Sequence, residues 1–80
     1  FGQTTAISFQ IPRPGIVDLA VYNIAGQKVR TLICGPQPAG RHSVRWDGRD
    51  GSGRALAGGV YLARLNADGS SRTEKLILVR

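Results

Sequence analysis

Residues 17–34 read VDLAVYNIAGQKVRTLIC and predict two β-strands joined by a tight turn. Apolar side chains recur at every second position, at Val17, Leu19 and Val21, which is the period of a strand with one buried face. The next residues, Asn23-Ile24-Ala25-Gly26, are of types that favour a turn. The stretch therefore predicts an antiparallel hairpin.

The second strand of this hairpin is irregular. Val29 and Leu32 lie three positions apart, so strict alternation fails between Lys28 and Cys34. A β-bulge, in which one strand carries an extra residue, or a bend is the simplest explanation. The segment that follows, residues 35–40, is rich in proline and glycine and predicts a loop.

Three more runs alternate with the same period, and turn signals separate them. Their apolar faces are predicted at Ile7, Phe9 and Ile11; at His42, Val44 and Trp46; and at Tyr61, Ala63 and Leu65. A last run, Thr73 to Val79, closes the chain. Asp68-Gly69 predicts a tight hairpin turn. No segment has helical periodicity. The sequence thus predicts one all-β domain over residues 1–80, an immunoglobulin-like antiparallel β-sandwich of six or seven strands.

Two features indicate how such a sandwich is held together. The one cysteine, Cys34, cannot form a disulfide within the chain, so packing must hold the fold. Tyr61 follows Gly58-Gly59, where its hydroxyl can bond back to the backbone as the tyrosine corner does in immunoglobulin-like sheets. The predicted core anchor and structural turn are Trp46, Asp47, Gly48, Asp50 and Gly53.

The last strand is unusual because Leu76-Ile77-Leu78-Val79 is apolar on both faces. A strand with one wet face should alternate. One explanation is a central strand that a loop or a neighbouring domain covers on its second face, and we favour it. The other is a strand whose outer face or edge meets a partner.

The residues that could carry chemistry do not form a known constellation. One Cys and one His, His42, cannot assemble a zinc site. Asp47 and Asp50 lie in a glycine-rich loop, but the bidentate Glu of a calcium loop is missing, so a structural turn is favoured over calcium. We therefore expect no enzyme activity, no cofactor and no metal.

The charge of the chain bears on its partners. A net charge of +6 favours anionic partners. The basic residues are scattered, however, and three of the five aromatic residues, Phe9, Trp46 and Tyr61, are assigned to the core. Nucleic-acid binding needs exposed aromatics among the basic residues, so we do not expect it. The sequence lacks Met and starts at Phe1, and we expect a piece of a longer protein.

The order of these motifs resembles the FlgD-like immunoglobulin domain and the similar C-terminal sorting domain of the type IX secretion system. The Trp-Asp-Gly-x-Asp turn and the Gly-x-Tyr strand are the most specific parts. The residues that carry the resemblance are Thr4–Pro12, Gly15, Val17–Asn23, Gly26–Leu32, Ala39–Asp50, Gly53, Gly59–Tyr61, Arg64-Leu65 and Lys75–Arg80.

The sorting branch implies a C-terminal, non-catalytic module that directs secretion and surface attachment of an upstream enzyme or adhesin. The implied partners are the outer-membrane secretion machinery, an anionic lipopolysaccharide or other surface glycan, and the covalently linked upstream domain. The implied location is the surface of a Gram-negative cell. The implied signal is Gly59, Tyr61, Lys75, Leu76, Ile77, Leu78, Val79 and Arg80.

Two alternatives remain beside sorting. A structural or adhesive immunoglobulin-like accessory domain would have the same sequence pattern. The FlgD branch would instead make the chain a scaffold module in flagellar hook assembly. Similarity alone does not separate the branches, and sorting is the expectation that we carry forward.

Overall fold

The computed structural model describes residues 5–67 and 69–79. This part of the chain forms six strands: β1 (Thr5–Ile11), β2 (Gly15–Asn23), β3 (Lys28–Gln37), β4 (Gly40–Trp46), β5 (Gly59–Ala67) and β6 (Ser70–Leu78). It contains no helix. The prediction of an all-β immunoglobulin-like sandwich without a disulfide is confirmed.

The strands form two antiparallel sheets. One sheet has two strands in the order β1-β4, and the other has four in the order β3-β2-β5-β6. Alternating side chains of both sheets meet in one core, because successive side chains of a strand point to opposite faces. The core side chains are Ile7, Phe9, Ile11, Val17, Leu19, Val21, Trp46, Tyr61, Ala63, Leu76 and Leu78.

The irregular strand β3 contains the predicted bulge, and a second one. Its pairing with β2 shifts register between Leu19 and Ala20 and again between Val21 and Tyr22. The residues of β3 left over at these two shifts are Leu32 and Val29. Val29 and Leu32 are therefore three positions apart because each is an extra, unpaired residue of β3.

The predicted loop over residues 35–40 is wrong for four of its six residues, since Gly40 begins β4. Gly35, Pro36 and Gln37 continue β3 and pair with Val17, Ile16 and Gly15. Proline is compatible with this strand because β3 lies at a sheet edge, where alternate N–H groups have no strand partner to lose. Only residues 38 and 39 separate β3 from β4.

The favoured explanation of the last strand, a central position, is also wrong. β6 is the outer strand of the four-stranded sheet. Leu76 and Leu78 are buried in the core, whereas Ile77 and Val79 are 60% and 56% exposed. An edge strand can be apolar on both faces while only one face is covered. The sequence could not reveal this, because an apolar run is compatible both with a strand buried on one face and with a strand buried on two.

The turn between β5 and β6 has the predicted length. Ala67 pairs with Ser70, which leaves two residues in the turn. Gly69 has a φ of 75°, a value that suits a primed hairpin turn. Asp68, the other turn residue, lies outside the described residues.

Candidate interaction site

Trp46 and Tyr61 form the corner where β4 and β5 meet. Both side chains are buried, and their rings contact edge-to-face with centroids 5.3 Å apart. The Tyr61 hydroxyl donates a hydrogen bond of 2.6 Å to the carbonyl oxygen of Ala57. The Trp46 Nε1–H donates to the carbonyl oxygen of Arg49 at 3.0 Å. The polar group of each ring thus bonds to the backbone of the β4–β5 connection. For Tyr61, this is the predicted hydrogen bond from its hydroxyl back to the backbone.

Asp47 holds the first half of this connection. Its Oδ1 accepts a 3.1 Å hydrogen bond from the backbone N–H of Arg49, an Asx turn. The same oxygen lies 3.3 Å from Nη1 of Arg30 on β3. Arg30 Nη1 also donates to the carbonyl oxygen of Arg49 at 3.2 Å. The turn is therefore tied to the edge of the larger sheet as well as to the corner.

Asp50 organises the second half. Its Oδ1 accepts hydrogen bonds from the backbone N–H groups of Ser52 and Arg54, both at 3.0 Å, and from the Ser52 hydroxyl at 2.7 Å. The hydroxyl bond and the backbone bonds stabilise the charged carboxylate and lower the pKa of Asp50. Gly53 closes the turn with a φ of 90°, which a side chain rarely tolerates. The arrangement is a self-capped turn.

These contacts favour the structural interpretation of the acidic loop. The described residues include no group of three or more His, Cys, Asp or Glu side chains that could hold a metal ion. Oδ1 of Asp47 and Oδ1 of Asp50 each accept hydrogen bonds from N–H or O–H donors of the loop itself.

The predicted signal residues of β5 and β6 lie opposite one another. Gly59 pairs with Leu78, and Tyr61 pairs with Leu76. Tyr61, Leu76 and Leu78 belong to the core, so their residue types follow from packing. Gly59 is exposed, and its φ of 149° favours glycine. The remaining predicted residues, Lys75, Ile77 and Val79, are exposed at the sheet edge. Arg80, also predicted, lies outside the described residues.

An exposed cluster on the outer face of the larger sheet was not foreseen from the sequence. Tyr22, Leu62 and Lys75 stand in one row across β2, β5 and β6, and Lys28 of β3 pairs with Tyr22. Arg64 places its guanidinium carbon 5.2 Å from the centre of the Tyr22 ring, and the Lys28 ammonium lies 6.0 Å from it. Tyr22 follows the buried Val21 on β2, so the alternation of the strand places Tyr22 on the outer face. This alternation was the one sequence feature from which the position of Tyr22 could have been predicted.

The one histidine and the one cysteine lie on different sheets. His42 stacks on Phe9 with ring centroids 5.1 Å apart, and its Nε2 donates to the carbonyl oxygen of Pro38 at 2.7 Å. It is half-buried beside the core residue Phe9, on the apolar face that the alternation predicted. Cys34 is exposed on β3, so it is a strand residue and not a core residue.

Comparison with known proteins connects this architecture to a family. The family model described as FlgD Ig-like domain matches residues 1–71. The crystal structure of FlgD from P. aeruginosa is similar, with a TM-score of 0.68 and 32% sequence identity. The alignment covers 95% of this chain and 60% of that one. No curated protein matches the chain. The described residues include no helix long and apolar enough to cross a membrane.

Proposed function

This chain belongs to the FlgD Ig-like domain family, and we propose that it is a scaffold module in flagellar hook assembly. The match over residues 1–71 supports the proposal most directly. The similarity to FlgD of P. aeruginosa at 32% identity supports it independently. Because the chain corresponds to 60% of that FlgD chain, the module is proposed to act within a longer protein.

The expectation of a type IX sorting module is wrong, since the family model and the solved structure both lead to FlgD. The physical reason lies in the motifs that suggested both branches. The Gly-x-Tyr strand and the Trp-Asp-Gly turn form the corner between β4 and β5, through the hydrogen bonds of Tyr61 and Trp46. Any sandwich with this corner needs such residues, so they do not distinguish a sorting signal from a scaffold.

Some expectations stay predictions. Secretion machinery and anionic lipopolysaccharide as partners, and a location at the cell surface, are tested by no observation on this chain. The same holds for the absence of catalysis, which the proposal retains. It is supported by the way His42 is engaged by Phe9 and Pro38 and by its separation from Cys34 on the other sheet.

The test is genetic. In the organism that carries this chain, residues 1–80 are deleted in frame from the protein that contains them, and hooks are counted by electron microscopy alongside swimming in soft agar. We expect loss of hooks and of swimming, with recovery when the intact segment is restored. Normal hooks in the deletion strain, with the shortened protein present at its usual level, would refute the scaffold role.

A further inference from the structure

The outer edge of β6 is regular along its whole length. Its nine residues pair with β5 from Gly59 to Ala67 without a register shift. The other edge of this sheet, β3, is interrupted by two bulges and by Pro36. Bulges and proline are common protections of a sheet edge against a further strand. Of the two edges of this sheet, β6 is thus the one suited to strand addition, in which a partner's backbone pairs with unpaired N–H and C=O groups.

The outer face beside this edge is apolar at one end. Val60 and Ile77, which pair with each other, are 40% and 60% exposed, and Val79 is 56% exposed. Leu62 lies next to them on β5 and is half-buried. Three exposed apolar side chains that adjoin an open strand form a hydrophobic centre of the kind that interfaces cover.

Cations lie on one side of this apolar end. Lys75 stands next to Ile77 on the same face of β6, and Arg64 and Lys28 flank the Tyr22 ring. In the described part of the chain, none of the three cations forms a salt bridge. The carboxylate on the same face of β2 is Asp18, which lies two residues from Ala20, the partner of Arg64, and four residues, about 13 Å, from Tyr22. The surface around Lys75 is basic, since the described residues on this face of β5 and β6 include no carboxylate.

We propose that β6 binds an extended acidic segment of a partner protein, which adds a strand to this edge. The segment places an apolar side chain opposite Ile77 and a carboxylate opposite Lys75, two residues apart on one face. Charge complementarity selects this occupant over a second copy of the chain, since each copy carries a net charge of +6. The inference depends on the proposed scaffold function in one respect: it assumes that the partner is a protein.

The test uses two synthetic nonapeptides and the 80-residue chain. Both are designed to pair antiparallel with β6 and carry Val opposite Ile77. One has Glu opposite Lys75, and the other has Lys there. Binding is followed by amide chemical shifts in ¹⁵N-labelled protein at low salt. We expect shifts concentrated in β5 and β6, and about fivefold tighter binding of the Glu peptide, from one attractive and one repulsive cross-strand pair.

Charge reversal supplies the decisive control. Lys75→Glu should invert the preference between the two peptides, and added salt should reduce it. Arg41→Glu removes an exposed cation from β4 in the other sheet and should leave the preference unchanged. Equal binding of both peptides, shifts outside β5 and β6, or equal effects of the two substitutions would overturn the proposal. So would β6 shifts that depend on protein concentration alone, because a second copy would then occupy the edge.

This experiment fails or succeeds independently of the hook phenotype. Loss of hooks on deletion, together with no peptide preference, would leave the scaffold role standing and refute the β6 site. Normal hooks together with a peptide preference that Lys75→Glu inverts would refute the scaffold role and leave the β6 site standing.

Discussion

Replacing Tyr61 by Phe isolates the hydrogen bond that closes the corner between β4 and β5. The substitution deletes the hydroxyl that donates to the Ala57 carbonyl at 2.6 Å and keeps the ring that contacts Trp46. Tyr61 is only 8% exposed, but Ala57 is exposed, so its carbonyl can accept a water molecule after the change. The expected loss is therefore about 1 kcal/mol of unfolding free energy, not the larger cost of an orphaned buried group.

The chain provides a matched control in its other tyrosine. Tyr22 lies on the outer face of the sheet, and its hydroxyl has no hydrogen-bond partner among the described residues. Tyr22→Phe keeps a ring beneath Arg64 and should change the unfolding free energy by less than about 0.5 kcal/mol. Urea unfolding monitored by the fluorescence of Trp46, the one tryptophan, measures both variants. For a domain of this size, about 1 kcal/mol corresponds to a fall in Tm of about 4–8 °C.

The outcome that would refute the reasoning is definite. If Tyr61→Phe and Tyr22→Phe unfold with the same midpoint and the same m-value, the corner hydrogen bond contributes no net stability. The position of Tyr61 would then be explained by ring packing alone.

Two pairs of substitutions and one single substitution test the turn and strand β6. Gly53→Ala should lower the unfolding free energy by about 1–2 kcal/mol, because a φ of 90° is strained for any side chain although the space is open. Gly51→Ala, with open space and no positive φ, should leave the unfolding free energy unchanged in the same urea experiment. Leu76→Ala should cost about 2–4 kcal/mol and Ile77→Ala less than about 0.5 kcal/mol. Equal losses would contradict the burial of only one face of β6. Because the pKa of Asp50 is lowered, its carboxylate stabilises the fold at neutral pH, and this stabilisation is lost as the pH falls through that pKa. Asp50→Asn should remove this part of the pH dependence of the unfolding free energy. An unchanged pH profile of stability in the variant would contradict the capping role.

The amino-acid sequence determined the faces of the strands. Inward positions such as Val17, Leu19 and Val21 were assigned correctly because period two leaves only one choice once a face is buried. The irregular spacing of Val29 and Leu32 indicated an irregularity in β3 but not that the strand has two bulges. The corner followed from a local signal, since Tyr61 stands next to two glycines and bonds to a residue only four positions away.

The tertiary structure alone decided the order of strands, and with it the surfaces that remain free. An apolar run such as Leu76 to Val79 has the same composition at the centre of a sheet as at its edge, because the neighbours of a strand are far away in sequence. Pro36 likewise suggested a loop until the edge position of β3 made it compatible with pairing. The cluster of Lys28, Tyr22 and Arg64 exists only because three strands lie side by side. Non-local pairing is the physical reason that the candidate interaction site could not be found from local pattern.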